Sequence, residues 1–307
     1  MPDHRALVDA FMAHFERTRP SFVRELAGTR RRYPEAFDRI GGELLGWAHA
    51  LLGEACFDTL VRGYALFVTD VARSQIRFDR TGGYQHHSYD AVRQATYANP
   101  AFMNDYHWGV YVNTFGWAHH LRLCLYFQQF FVDRLREGSG RLIDLGSGSG
   151  IWHLMALSRA PDWTVTAVDI SETSVGLARS MAGAIGLAPR VDTVCGDALV
   201  HGEAGGWDAG ISCFLLEHLE RPAELLANLS RTLKPGALAF VTGGLTASEI
   251  DHIHEFWHES ELVIMAEQAG FRVLSTLSEN NTAASVMKRY LPRSMALVLQ
   301  KRTTDTW

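Results

Sequence analysis

A chain of 307 residues is long enough for one large domain or two modest ones. With 47% hydrophobic and 21% charged residues it has the composition of an ordinary globular protein with a sizeable core. A net charge of -5 excludes binding to polyanions through bulk charge, though not through a local basic patch. Cys56, Cys124, Cys195 and Cys213 form no CxxC pair, which fits a reduced, cytoplasmic protein better than a disulfide scaffold or a zinc site. The opening residues are charged and helix-periodic, unlike a signal peptide. The most apolar runs are short and interrupted by Arg or Gln, so no membrane span is expected.

Residues 1–137 read as helical. Leu7, Phe11 and Phe15 share a face, as do Leu121, Leu125, Gln128, Val132 and Leu135, and breaks are signalled at residues 80–83 and at Asn99-Pro100. This half carries 23 of the 33 aromatic residues. Residues 138–307 alternate strand and helix. Strands are expected at 141–145, 164–170, 190–196, 207–213, 237–243, 271–277 and 294–300, and helices at 150–159, 172–186, 222–233 and 257–269. Pro222 opens one of these helices at its first position. Such alternation implies an α/β fold with a mainly parallel sheet covered on both faces.

The strongest local signal is the run from Leu142 through Asp144 to Gly146, Ser147, Gly148 and Gly150, a strand ending in GxGxG before a helix. The glycines allow a tight turn and close approach to a ligand, and the helix start offers free N–H groups. A dinucleotide site would show GxGxxG, and Asp144 would repel a pyrophosphate; an acid there suits a cationic amino group. Asp169, followed by Ile170, ends the second strand, where a carboxylate can accept ribose hydroxyls. Asp197, followed by Ala198, comes after the third and is placed for an exocyclic adenine amine. Ribose, adenine and ammonium together describe S-adenosyl-L-methionine.

With these residues in order, the second half resembles a class I S-adenosylmethionine-dependent methyltransferase domain over roughly residues 140–300. Asp144, Gly146, Gly148 and Gly150 match the family's first motif, Asp169 its ribose-binding acid and Asp197 the acid beside the adenine. Residues 233–236 match its habitual turn before the fifth strand. The resemblance implies a Rossmann-like sheet of seven strands with the last antiparallel, so residues 271–300 should close as a hairpin, preceded here by an all-helical cap at 1–137. It implies S-adenosylmethionine as cofactor and methyl transfer as the reaction. Cys213, at the end of the fourth strand, is read as a small apolar residue at the cofactor's edge, since no Pro-Cys nucleophile motif is present.

The elements of amino-methylating nucleic-acid enzymes and the Asp-Asn metal pair of catechol-type enzymes are both missing. The acceptor is therefore expected to be a small molecule of specialised metabolism. Alternatives are a protein or RNA acceptor, a non-catalytic cofactor-binding subunit, or other adenosyl chemistry. Glu217 and His218 stand where related small-molecule enzymes place a catalytic histidine, but one position out of register, and are candidates for proton transfer. Tyr106 and Tyr111 are candidate pocket hydroxyls, with His107, Trp108, His119, Asp251 and His252 as candidate substrate contacts. His254 and His258 have the i,i+4 spacing of a metal pair, but no third ligand stands at a fixed spacing, so no metal is expected. Seven arginines lie between residues 17 and 39, read as a solvated or subunit-contact face rather than a nucleic-acid site. The helical half is expected to wall the acceptor pocket and to supply a homodimer surface.

Overall fold

The computed structural model describes residues 4–280 and 291–303. The helical segment comprises α1 (His4–Thr18), α2 (Val23–Arg32), α3 (Pro34–Leu52), α4 (Cys56–Thr81), α5 (Tyr89–Ala95), α6 (Pro100–Gly116), α7 (Ala118–Phe127) and α8 (Asp133–Leu135). A π turn over Gln128–Val132 joins the last two. Val8, Phe11 and Phe15 form the buried face of α1, as their helical spacing dictates. Gly82, at φ 75°, closes α4 in the left-handed region. Asn99 caps α6 by accepting the N–H groups of Ala101 and Phe102, with Pro100 in the first turn.

Helices α4 and α6 touch backbone to backbone. A Cβ on Gly109 would lie 2.3 Å from Phe67 Cβ and 2.8 Å from the Gly63 carbonyl oxygen, so only hydrogen fits there. This contact sets Phe67 and Val71 of α4 beside Tyr106 and Val110 of α6, and all four reach the same cavity wall. Of the clustered arginines, Arg30 is held between Asp9 (2.6 Å) and Asp38 (2.7 Å), and Arg39 donates to Gln128 Oε1 at 2.7 Å. The cluster is thus partly tied into the fold rather than presented as one basic face.

The strands are β1 (Gly140–Leu145), β2 (Trp163–Asp169), β3 (Val191–Cys195), β4 (Trp207–Ser212), β5 (Leu233–Leu245), β6 (Phe271–Asn280) and β7 (Arg293–Lys301). Between them lie α9 (Ile151–Leu157), α10 (Glu172–Ala184), α11 (Pro222–Thr232) and α12 (Glu259–Gln268). The seven-stranded sheet has the order β3-β2-β1-β4-β5-β7-β6. Pairing is parallel from β3 through β5, and β7 runs antiparallel to both β5 and β6. The expected closing hairpin is present in its strands, Phe271 pairing with Lys301; the segment joining them, 281–290, lies outside the described residues.

The helical segment shares its core with the sheet. Phe127 packs edge to face 4.8 Å from Phe240 of β5 and 5.1 Å from Trp152 of α9, and Phe131 lies 6.0 Å from Phe240. Each fully buried ring of this kind contributes about 1.5–3 kcal/mol. Among the described residues no helix is long and apolar enough to cross a membrane.

Candidate functional site

The carboxyl ends of β1, β2 and β4 open into a cavity of 330 Å³, and the helical segment covers it. Gly146, Gly148 and Gly150 all take positive φ (78°, 52° and 88°), a conformation that side chains disfavour, and this curls the loop after β1 around the cavity rim. Asp169 sits at the floor, where Gly148 N–H donates to Oδ2 at 2.8 Å and Ser171 N–H to Oδ1 at 2.9 Å. Burial pushes its carboxyl above the usual range against the lowering effect of those two N–H groups. Each oxygen keeps lone-pair capacity toward the cavity.

Ser147, Gly148, Asp169, Ile170, Asp197, Ala198 and Cys213 all line this cavity. Burial holds the Cys213 thiol well above its usual value, which leaves it an apolar wall atom rather than a nucleophile. Asp144 and Gly150 do not line it. The Asp144 carboxylate is buried behind the loop, where His153 Nδ1 donates to it at 2.8 Å. The reason is the pleat: Asp144 alternates to the face of β1 on which α9 packs.

The residues fit an adenosyl ligand. Ser147 Oγ is buried without a partner, and space is open where a Cβ on Gly148 would stand. Asp169 and Asp197 both line the cavity and offer carboxylate acceptors to it. Tyr89, Met103 and Leu199 add flat or apolar surface.

A second cavity of 300 Å³ adjoins the first. Tyr106, Val110, Trp152, Phe214 and His218 line both and so form the partition. Phe214 is held at φ 53°, rare for a side-chain-bearing residue, by its N–H donating to Thr242 Oγ1 at 2.9 Å and by stacking on His120 at 5.0 Å. Asn113 Oδ1 bonds His120 Nδ1.

On the partition, His218 Nδ1 lies 2.8 Å from Tyr97 Oη and 3.3 Å from Asp251 Oδ2, and Tyr97 donates to the same Asp251 oxygen at 3.3 Å. Tyr97, buried and beside Asp251, keeps its proton to well above the usual value. Because a carboxylate only accepts, this network puts the imidazole proton on Nδ1 and leaves Nε2 with a lone pair. Glu217 Oε1 accepts Gly244 N–H at 2.9 Å, while Oε2 is buried without a partner. Burial pushes the Glu217 carboxyl up, and burial together with Asp251 and Glu217 pushes Glu249 well above its usual range.

The remaining sequence candidates divide. Tyr106 stands on the partition with its hydroxyl 3.4 Å from Glu249 Oε2. His107 reaches the first cavity and bonds Ser174 Oγ at 2.8 Å; His119 and His252 reach the second, and Asp251 the first. Burial lowers His107, His119 and His252 each to about 4, so all three are neutral. Tyr111 and Trp108 belong to the helical core and line neither cavity. Tyr111 donates to the Leu44 carbonyl at 2.9 Å and packs 5.5 Å from Trp108. His254 and His258 are not on a common helix face: His258 is the N-cap of α12, and His254 precedes it in irregular chain. Tyr97, Phe214 and Glu249 were not singled out from sequence, since none belongs to a motif.

The methyltransferase domain family matches residues 142–236. A ubiquinone biosynthesis O-methyltransferase from a Caulobacter species is 32% identical over 113 residues, covering 34% of this chain and 44% of the relative. The biotin biosynthesis bifunctional protein BioHC of Cellvibrio japonicus is 28% identical over 149 residues, covering 44% of this chain and 28% of that one. The chain thus spans less than half the length of these relatives. Among solved structures, Haemonchus contortus phosphoethanolamine N-methyltransferase 2, in complex with S-adenosyl-L-methionine, superposes with a TM-score of 0.54 at 16% identity, over 71% of this chain and 61% of that chain. The glycine motif, the strand order and the domain match over residues 142–236 together support a class I S-adenosylmethionine-dependent methyltransferase domain in the second half of the chain.

Proposed function

We propose that the protein transfers a methyl group from S-adenosylmethionine to a nucleophilic atom of a small molecule seated in the second cavity, with His218 accepting the proton that the acceptor loses. The observation that carries this reading is the shared partition: the residues that wall the adenosyl cavity also wall a second, apolar-lined cavity, and His218 stands on both sides. Bound there, the cofactor supplies an electrophilic methyl on a sulfonium. Asp169 and Asp197 hold its ribose and base, and the Gly146–Gly150 loop lies against the remainder.

The protein's own work is alignment, exclusion of water and movement of one proton. Trp117, Phe67, Val71 and Trp152 line the acceptor cavity and favour a planar or partly apolar ligand. His218 Nε2 takes the acceptor's proton, and the resulting imidazolium is stabilised through Nδ1–H by Tyr97 and Asp251. The 300 Å³ volume supports a small acceptor over a protein or RNA group. The distribution of functional residues supports two cooperating parts, a helical wall at 1–137 and a cofactor-binding part at 138–307.

Incubation with S-adenosylmethionine and panels of phenols, amines and carboxylic acids, read by mass gain of one methyl, tests this reading. His218→Ala should then lose most turnover while binding the cofactor normally. Unchanged turnover in that variant would remove His218 from the chemistry.

A further inference from the structure

Beyond β5 the chain leaves the sheet in an irregular segment, and a turn closed by His252 N–H donating to the Glu249 carbonyl at 3.4 Å folds three ligand-type side chains together. The metal-ligating atoms of Glu249, Asp251 and His252 all lie within 4.8 Å of one another. Two of these side chains are prepared in a specific way. Asp251 is buried, and its Oδ1 has no hydrogen-bond partner although Oδ2 is engaged by Tyr97. His252 Nδ1 lies 2.8 Å from the Ala247 carbonyl, which only accepts, so Nδ1 carries the proton and Nε2 a lone pair. A backbone carbonyl holding the far nitrogen is the usual outer contact of a metal-bound histidine.

The local charge asks for a cation. Glu217, Glu249 and Asp251 converge here, and Glu217 Oε2 is a second buried carboxylate oxygen without a partner. Among the described residues lining the second cavity, Arg293 is the one Lys or Arg, and its Nε is bound to Glu259 at 2.8 Å. An unpartnered buried carboxylate is costly, and a bound ion relieves it.

We propose that Glu249, Asp251 and His252 bind a divalent transition-metal cation where the two cavities meet, with Glu217 at its flank. Two carboxylates and one neutral imidazole are the mixed oxygen and nitrogen set that such ions take, and their ligand atoms already lie within 4.8 Å of one another. His218, whose Nδ1 is likewise engaged by Tyr97 and Asp251 Oδ2, keeps its Nε2 for the acceptor's proton in this assignment. An ion at this position faces the acceptor cavity, where it would polarise an oxygen or nitrogen of the bound molecule. The sequence expectation of no metal rested on the His254/His258 pair. The carboxylates come instead from the turn before it, where neither helix nor strand spacing signals convergence.

Metal binding is read without cofactor or acceptor, so it stands or falls separately from methyl transfer. The full-length protein, stripped with chelator, is titrated with Co2+ and followed by visible absorption. One saturable equivalent is expected, displaced by Zn2+. Glu249→Gln and His252→Gln should each weaken it at least tenfold, with far-UV circular dichroism unchanged, and His254→Gln should bind as the unaltered protein does. Glu249 is only partly buried, so its variant keeps the test valid if His252→Gln misfolds. Absence of saturable Co2+ binding, or equal affinity in folded Glu249→Gln, would overturn the proposal.

Discussion

Tyr97 Oη lies 2.8 Å from His218 Nδ1, a contact between residues 121 positions apart that joins the helical segment to the turn after β4. The helical segment therefore reaches the side chain proposed to accept the proton and is more than a cover for the cavity. Tyr97→Phe deletes one hydroxyl and leaves Asp251 as the sole holder of His218. Turnover should fall roughly tenfold to a hundredfold, the share of general-base catalysis that positioning supports, with cofactor affinity unchanged. A pH–rate profile shifted relative to the unaltered protein separates this positioning role from simple loss of packing.

Asp169→Ala removes the acceptor that sits between Gly148 N–H and Ser171 N–H at the cavity floor. Loss of charge-assisted bonds to two ribose hydroxyls should weaken S-adenosylhomocysteine binding by about 1.5–3 kcal/mol in a calorimetric titration. Affinity equal to that of the unaltered protein would take Asp169 out of the cofactor site.

Tyr106 and Tyr111 were equal candidates from sequence, and the structure separates them. Tyr111→Phe should lower stability by about 1 kcal/mol through the lost bond to the Leu44 carbonyl and leave the acceptor's apparent KM alone. Tyr106→Ala should raise that KM, because the ring forms part of the partition. Denaturant titration and steady-state kinetics on the two variants check both halves.

The reason sequence could not separate them is physical. Five positions on a helix turn a side chain by about 140°, and α6 is apolar on nearly every side, so hydrophobic periodicity does not point to a core face. The glycine loop and Asp169 were legible because the covalent spacing of a strand, a turn and a helix start fixes them locally. The strands and their helices followed from the same local alternation. The Tyr97–His218–Asp251 network was not legible, since it depends on α4 and α6 meeting at Gly63 and Gly109 and on a chain reversal after β5. Asp144 lies within the matched domain, but the face of β1 it occupies could not be read from the spacing.

Gly109→Ala forces a methyl into the α4–α6 contact, where Phe67 Cβ and the Gly63 carbonyl leave no room. A loss of about 1–3 kcal/mol is expected, together with weaker acceptor binding as the walls move apart. Gly46→Ala, inside α3 with nothing within 4 Å, should instead stabilise the protein, by about 0.4–1 kcal/mol. Thermal or urea denaturation that ranked the two variants in the opposite order would contradict the packing described here.

His107, His119 and His252 are each lowered to about 4 by burial, whereas a free histidine titrates near 6.5. Between those values the unfolded chain binds protons that the folded chain refuses, so stability falls as pH drops from about 6.5 toward 4. Glu217 and Glu249 act in the opposite sense. Their raised carboxyls hold protons in the folded state above pH 4.5, so their contribution is lost as pH rises through the raised values. His119→Phe should flatten the acid-side loss by about 1.4 kcal/mol per pH unit. Urea unfolding across that range, with the same slope in variant and unaltered protein, would contradict a neutral buried His119.

On the proposed reading, one partition separates the adenosyl cavity from the acceptor cavity. A crystal structure of the complex with S-adenosylhomocysteine tests it most directly. The ribose hydroxyls are expected on Asp169, the base beside Asp197, and the sulfur directed past Phe214 and His218 toward the second cavity. A product molecule bound elsewhere, or bound there with its sulfur turned away from His218, would contradict it.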